Sequence, residues 1–178
     1  MPDVMLDIET LGTRPECVVV TLGAVKFNPY KLDDPGPGIY MRLDADEQLA
    51  LGREVQDETM RWWLDQAEDV REEALGDGTD RIKLEEMYRQ LNRFLVGVDS
   101  IWCQGPAFDI VILENIYRQM GWPTPWQFWQ IRDSRTLFGV HGDPREKNKA
   151  GLHNALEDCV SQAQGVQKIY YRLEIEKR

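Results

Sequence analysis

Residues 5 to 12 read Met5-Leu6-Asp7-Ile8-Glu9-Thr10-Leu11-Gly12, with two acids one residue apart inside an apolar run. Side chains at i and i+2 of a strand share a face, so a strand through this segment points Asp7 and Glu9 the same way. Like charges at that spacing repel, and each resists leaving water unless positive charge lies between them. Acids in a buried run otherwise need salt-bridge partners. The pair asks for a cation.

Outward from this segment, residues 3 to 9 form the predicted first strand. Cys17 to Phe27 is rich in β-branched residues and predicts a second. The cluster Asp33-Asp34-Pro35-Gly36-Pro37-Gly38 forces a loop, and Ile39 to Leu43 alternates like a third strand. Their short connections predict an antiparallel meander. The period then changes. Asp57 is placed to cap a helix running through Thr59 to Leu64. Leu84, Met87, Tyr88, Leu91, Phe94 and Leu95 recur as one apolar helical stripe. Ser100 to Cys103 predicts a short strand, Phe108 to Met120 a helix stopped by Gly121 and Pro123, and Ile131 the centre of a fifth strand. Residues 154 to 175 predict a long final helix. The order βββ, α, α, β, α, β, α implies an α/β fold: a mixed five-stranded sheet flanked by helices, in one domain over residues 1–178.

Bulk composition narrows the function classes. The 178 residues are 42% hydrophobic and 29% charged, without an apolar run long enough to span a bilayer. Met1-Pro2-Asp3-Val4 leads straight into the first strand, which leaves no room for a signal peptide. Cys17, Cys103 and Cys159 form no C-x-x-C pair, and an odd, widely spaced set argues for free thiols and a cytoplasmic protein. The formal net charge is −10, from 31 acids against 21 Lys and Arg. That balance argues against coating duplex DNA through a broad basic face. It leaves room for an enzyme that holds a nucleic-acid end through bound cations, which reverse the local field.

Further residues extend the opening pair into a constellation. Asp109 stands at the junction from the fourth strand into a helix, and His153 and Asp158 open the last helix. A five-residue offset separates two side chains by about 140° on an ideal helix, so His153 belongs just before the helix and Asp158 on it. Four acids with one nearby histidine and no clustered cysteine make an all-oxygen site, suited to Mg²⁺ or Mn²⁺ rather than zinc. Two such ions about 3.5–4 Å apart can clamp the attacking and leaving oxygens of an in-line phosphoryl displacement.

Asp7-x-Glu9, Phe108-Asp109 and His153-x-x-x-x-Asp158 together resemble the three motifs of the DEDDh (DnaQ-like) 3′-5′ exonuclease superfamily, and they span most of the chain. Members include the DnaQ proofreading subunit, RNase T, oligoribonuclease and the phage-type, DexA-like exonucleases. Three further stretches resemble the DexA and RNase AS branch: Thr59-Met60-Arg61-Trp62-Trp63, Trp102-x-x-Gly105-x-x-Phe108-Asp109 and Arg132-Asp133-Ser134-Arg135-Thr136-Leu137. Gln104 departs from the pattern, where a smaller polar residue such as Asn is expected.

This resemblance implies an RNase H-like fold and a two-metal 3′-5′ exonuclease that releases nucleoside 5′-monophosphates from single-stranded RNA or DNA ends. It implies that Asp7, Glu9 and Asp158 bind one ion, with Asp7 bridging to a second held by Asp109. His153 becomes the general base, suited by an unperturbed pKa of about 6.5. Thr10, Leu11 and Gly12 are expected to meet the terminal nucleotide, with Leu11 wedged against its base. Gln104 and Phe108 share the Asp109 motif and join the expected substrate set. Trp62 and Trp63 are adjacent on a helix and about 100° apart. At least one of them is free to stack on a base or meet another subunit. By the same resemblance the chain works as a homodimer. The rival readings are an oligoribonuclease-like enzyme acting on very short RNAs, and a nucleic-acid-binding module that has lost catalysis.

Overall fold

The computed structural model describes residues 2–145 and 154–176. Strands β1 (Asp3–Thr10), β2 (Val19–Phe27) and β3 (Gly38–Arg42) are followed by helices α1 (Ala45–Ala50), α2 (Asp57–Leu64), α3 (Glu68–Leu75) and α4 (Leu84–Phe94). Strand β4 (Ile101–Cys103), helix α5 (Asp109–Met120), strand β5 (Ile131–Asp133) and helices α6 (Ser134–His141) and α7 (Ala155–Arg172) complete the order. The five strands lie in the order β3-β2-β1-β4-β5. The first three pair antiparallel, as the meander predicts, whereas β4 pairs parallel with both β1 and β5.

Alternation along β1 divides the core. Val4, Leu6 and Ile8 face one side, where they pack with Leu84, Met87 and Leu91 of α4 and Ile112, Leu113 and Ile116 of α5. Met5 faces the other side with Val25 and Phe27, against Cys159, Ala163, Val166 and Ile169 of α7. Asp7 and Glu9 continue the Met5 face, toward α7. A third cluster joins Leu11, Val18 and Val20 to Trp63, Val70 and Ala74 under α2 and α3.

Several local expectations change. Residue 57 does not cap α2; Gln56 is the N-cap, and its Oε1 instead accepts from the Thr13 backbone N–H and hydroxyl. Asp133 is the N-cap of α6, with Oδ1 accepting from the Arg135 N–H. Cys17 lies outside β2 and forms an isolated bridge to Glu54.

Candidate active site

Strand β1 carries two acids near its C-terminal end, and the chain that follows β4 supplies a third. Strand β4 pairs with β1 only at Val4 and Met5, so beyond that point the β1 edge facing β4 has no ladder partner from it. The chain leaves β4, turns at Gly105 (φ +112°) and enters α5 at its first residue, Asp109. Asp109 is buried, and its Oδ1 accepts from the Ile8 N–H at 3.2 Å. A side chain on one element thus satisfies the backbone donor of another. The same bond ties Asp109 to the strand carrying Asp7 and Glu9.

Asp158 arrives from above that sheet face. Asn154 caps α7 by accepting from the N–H groups of Leu156 and Glu157. The first turn of α7 lies directly on Gly23, the cross-strand partner of Asp7. A Cβ at Gly23 would stand 2.3 Å from the Ala155 carbonyl carbon and 2.4 Å from the Leu156 nitrogen. The Cys159 thiol donates to the Gly23 carbonyl at 3.3 Å. Only a residue without a side chain admits the helix at this height, and that height carries Asp158 to the β1 acids.

Asp7, Glu9 and Asp158 each present a carboxylate oxygen, and those oxygens lie within 4.8 Å of one another. All three residues are half-buried, so an ion can reach them and yet finds few competing waters. Burial is the largest cause that raises the Asp7 carboxyl well above its ordinary range, followed by the charges of Asp109, Glu9 and Asp158; an amide hydrogen bond from Gln162 opposes them. Burial also pushes Glu9 up to about 8, with Asp158 and Asp109 adding to it. Asp109 rises to about 7, again chiefly through burial, with backbone N–H groups and Arg135 pulling the other way. Positive charge brought into the cluster would offset this burial and mutual repulsion. The donor set therefore fits a hard divalent cation, which would supply that charge.

The remaining sequence-predicted residues divide. Leu11 (8% exposed) and Trp63 (1%) are packed together in the third core cluster, and the Trp63 indole N–H donates to the Thr10 carbonyl. Both side chains pack into the wall behind the site, where the apolar side of α2 needs burial. Thr10 is buried and its hydroxyl donates to the Gly12 carbonyl at 2.6 Å. Gly12 is confined by Cys17, whose Cβ would lie 2.8 Å from an added methyl. Trp62 is 43% exposed and packs edge-on against Trp63. Gln104 accepts from Arg145 Nη1 at 2.7 Å through its side chain and from Arg135 Nη2 at 2.9 Å through its carbonyl. Phe108 precedes α5, partly buried against the α4/α5 core. His153 lies outside the described residues.

Two residues at the site escape the motif reading. Gly23 interrupts a β-branched strand, which is itself a signal of close backbone approach. Gln162 lies four residues after Asp158, hence one turn along the same helix face.

With this geometry in place, the family relationship is decided by one match. The model described as the 3′-5′ exoribonuclease Rv2179c-like domain matches residues 2–170. The chain belongs to that family. It is a 3′-5′ exonuclease, a hydrolase of the DnaQ-like superfamily with an RNase H-like fold. The exodeoxyribonuclease of Enterobacteria phage T4 is 24% identical over 194 residues, covering 90% of this chain and 85% of the relative. A product-bound structure of exonuclease I shares the fold with a TM-score of 0.61 at 13% identity, covering 97% of this chain and 43% of the other. E. coli exonuclease I in complex with a dA13 oligonucleotide matches with a TM-score of 0.57 at 13% identity, over 96% of this chain and 40% of that one. The chain thus spans about two fifths of the length of those exonuclease I chains. No helix among the described residues is long and apolar enough to cross a membrane.

Proposed function

We propose that residues 1–178 act as a single divalent-metal-dependent exonuclease domain, which trims single-stranded RNA or DNA from the 3′ end and releases nucleoside 5′-monophosphates. The observation that carries this reading is the convergence of Asp7, Glu9 and Asp158 within 4.8 Å, beside Asp109. Asp7, Glu9 and Asp158 would hold one Mg²⁺ or Mn²⁺ ion, and Asp109 with Asp7 a second. Bound there, the ions would polarise the phosphodiester and make water a stronger nucleophile.

The chain's own groups do the rest. Asp109, anchored to the Ile8 N–H, keeps its carboxylate beside β1. His153 takes the proton of the attacking water, a role that rests on its place in the motif. Trp62, exposed at the surface, offers a stacking face of the kind worth about 1–3 kcal/mol per base. The family description names RNA and the phage relative's name DNA, so both sugars belong in the test.

That test uses 5′-labelled single-stranded RNA and DNA side by side, with Mg²⁺ or Mn²⁺, EDTA and an Asp7→Ala control. The expected result is a ladder shortening from the 3′ end, with nucleoside 5′-monophosphates as products, lost in EDTA and in the variant. Cleavage that survives both controls, or none on any substrate, refutes the reading.

Two lesser proposals accompany it. All three cysteines are free and buried, which supports work in the reducing cytoplasm. Homodimerisation, implied by the resemblance to RNase T and RNase AS, has a candidate face in Phe128 and Trp129, 84% and 60% exposed just before edge strand β5. Sedimentation should find twice the 20.7 kDa chain mass. A species of only the chain mass at micromolar concentration removes the dimer.

A further inference from the structure

Gln162 is 3% exposed on α7, one turn beyond Asp158. Its Nε2 donates to Asp7 Oδ1 at 3.2 Å. Its Oε1 is buried with no hydrogen-bond partner among the described residues. An ionised carboxylate accepts only, so this is the amide orientation that a metal-binding Asp7 demands. A glutamine whose sole task was packing would leave a buried carbonyl oxygen unsatisfied for no return. The Asp7 carboxylate has two oxygens, and the bond to Gln162 fixes Oδ1 and thereby the rotation of the group.

We propose that Gln162 is a positioning residue of the metal site: its N–H sets the Asp7 carboxylate for cation binding, and its Oε1 is kept for a water of the bound ion's hydration. The inference rests on the metal-site reading above. Such supporting partners of metal ligands are worth about 10–100-fold in metal affinity or activity. The arrangement also carries a signature that a structural glutamine lacks. Replacing Gln162 by an apolar side chain of similar length removes an unsatisfied buried oxygen but also the donor to Asp7 Oδ1. These effects oppose each other, so the metal-free fold should change little while the response to metal should suffer.

The experiment follows thermal unfolding of the EDTA-stripped full chain across a MnCl₂ titration for wild type, Gln162→Met, Gln162→Leu and Asp7→Ala, with exonuclease rates against Mn²⁺ alongside. The expected result is that metal-free Gln162→Met melts close to wild type, while its Mn²⁺ midpoint, by melting and by rate, moves up about 10–100-fold. Gln162→Leu should behave likewise. An unchanged midpoint in both variants overturns the proposal. So does failure of both to fold without metal, because Gln162 is then a structural residue. Asp7→Ala separates the two levels: if it keeps the full Mn²⁺ response, the metal-site reading itself fails, whatever Gln162 does.

Discussion

Gly23→Ala tests how the fold builds the site, using a residue that carries no chemistry. The added methyl would sit 2.3 Å from the Ala155 carbonyl carbon and 2.4 Å from the Leu156 nitrogen, where ordinary contact begins at 3.4 Å. Both are backbone atoms, so no side chain can swing aside, and the first turn of α7 must retreat by about 1 Å, as overpacked cores do. Asp158 moves with that turn, away from Asp7 and Glu9. Overpacking of this kind costs about 1–3 kcal/mol, partly offset by the roughly 0.5–1 kcal/mol that Ala gains over Gly in a strand. The domain should therefore fold. Catalysis should suffer far more, since a misplacement of about 1 Å costs on the order of 100-fold in rate. The assay pairs 3′-end trimming of a labelled oligonucleotide with thermal unfolding. A Gly23→Ala protein that trims at the wild-type rate would refute the argument that Gly23 sets the height of α7.

Four other perturbations follow from the same structure. In the metal-free protein Glu9 sits at about 8 and Asp109 at about 7, against ordinary values of 4.5 and 3.8, so the folded state holds protons that the unfolded chain releases. Their contribution is fully present below about pH 4 and is lost as pH rises through 7 to 8. In EDTA the melting temperature should drop by about 5 °C or more from pH 5 to pH 8, and Mn²⁺ should restore it; a flat or rising profile in EDTA contradicts the shifts. Trp63→Ala removes a fully buried indole bonded to the Thr10 carbonyl and should cost about 3–5 kcal/mol in denaturant unfolding. Trp62→Ala should leave stability nearly unchanged and raise KM for oligonucleotides, and an unchanged KM removes its stacking role. Arg53 is 3% exposed and donates to the carbonyls of Pro15 and Cys17 and to the side chains of Asn115 and Gln119. Arg53→Ala should cost about 3–5 kcal/mol, as for other buried charge networks that lose a member, and leave the Mn²⁺ midpoint of the folded fraction in place.

The acids were legible in the sequence because their placement is local. Alternation in β1 predicts that Asp7 and Glu9 share a face, and the strand-to-helix junction predicts where Asp109 stands. The sheet was legible for the same reason, since the β-branched runs and the Asp33–Gly38 turn residues mark its first three strands. The short helices were not. Helix α1 reads Ala-Asp-Glu-Gln-Leu-Ala and buries only Gln48, while the strongly acidic α3 buries only Val70 and Ala74. Neither has enough apolar periodicity to announce itself. Helix α6 is concealed because Arg132 to Leu137 reads as a motif, whereas Asp133 in fact ends β5 and caps the helix. The burial of Leu11 and Trp63 was not legible either, because it depends on α2 and α3 closing over the loop after β1. Gly23 and Gln162 act through partners more than 100 residues away in the chain. No window of sequence contains both members of such a pair.

The central claim is that the clustered carboxylates hold the cation on which trimming depends. Calorimetric titration of Mn²⁺ into metal-free protein tests it most directly, with wild type, Asp7→Ala and Asp158→Asn run in parallel. Saturable binding to wild type, abolished in Asp7→Ala and strongly weakened in Asp158→Asn, is the expected result. Identical titrations of all three proteins would contradict the claim, because the ion would then be held elsewhere.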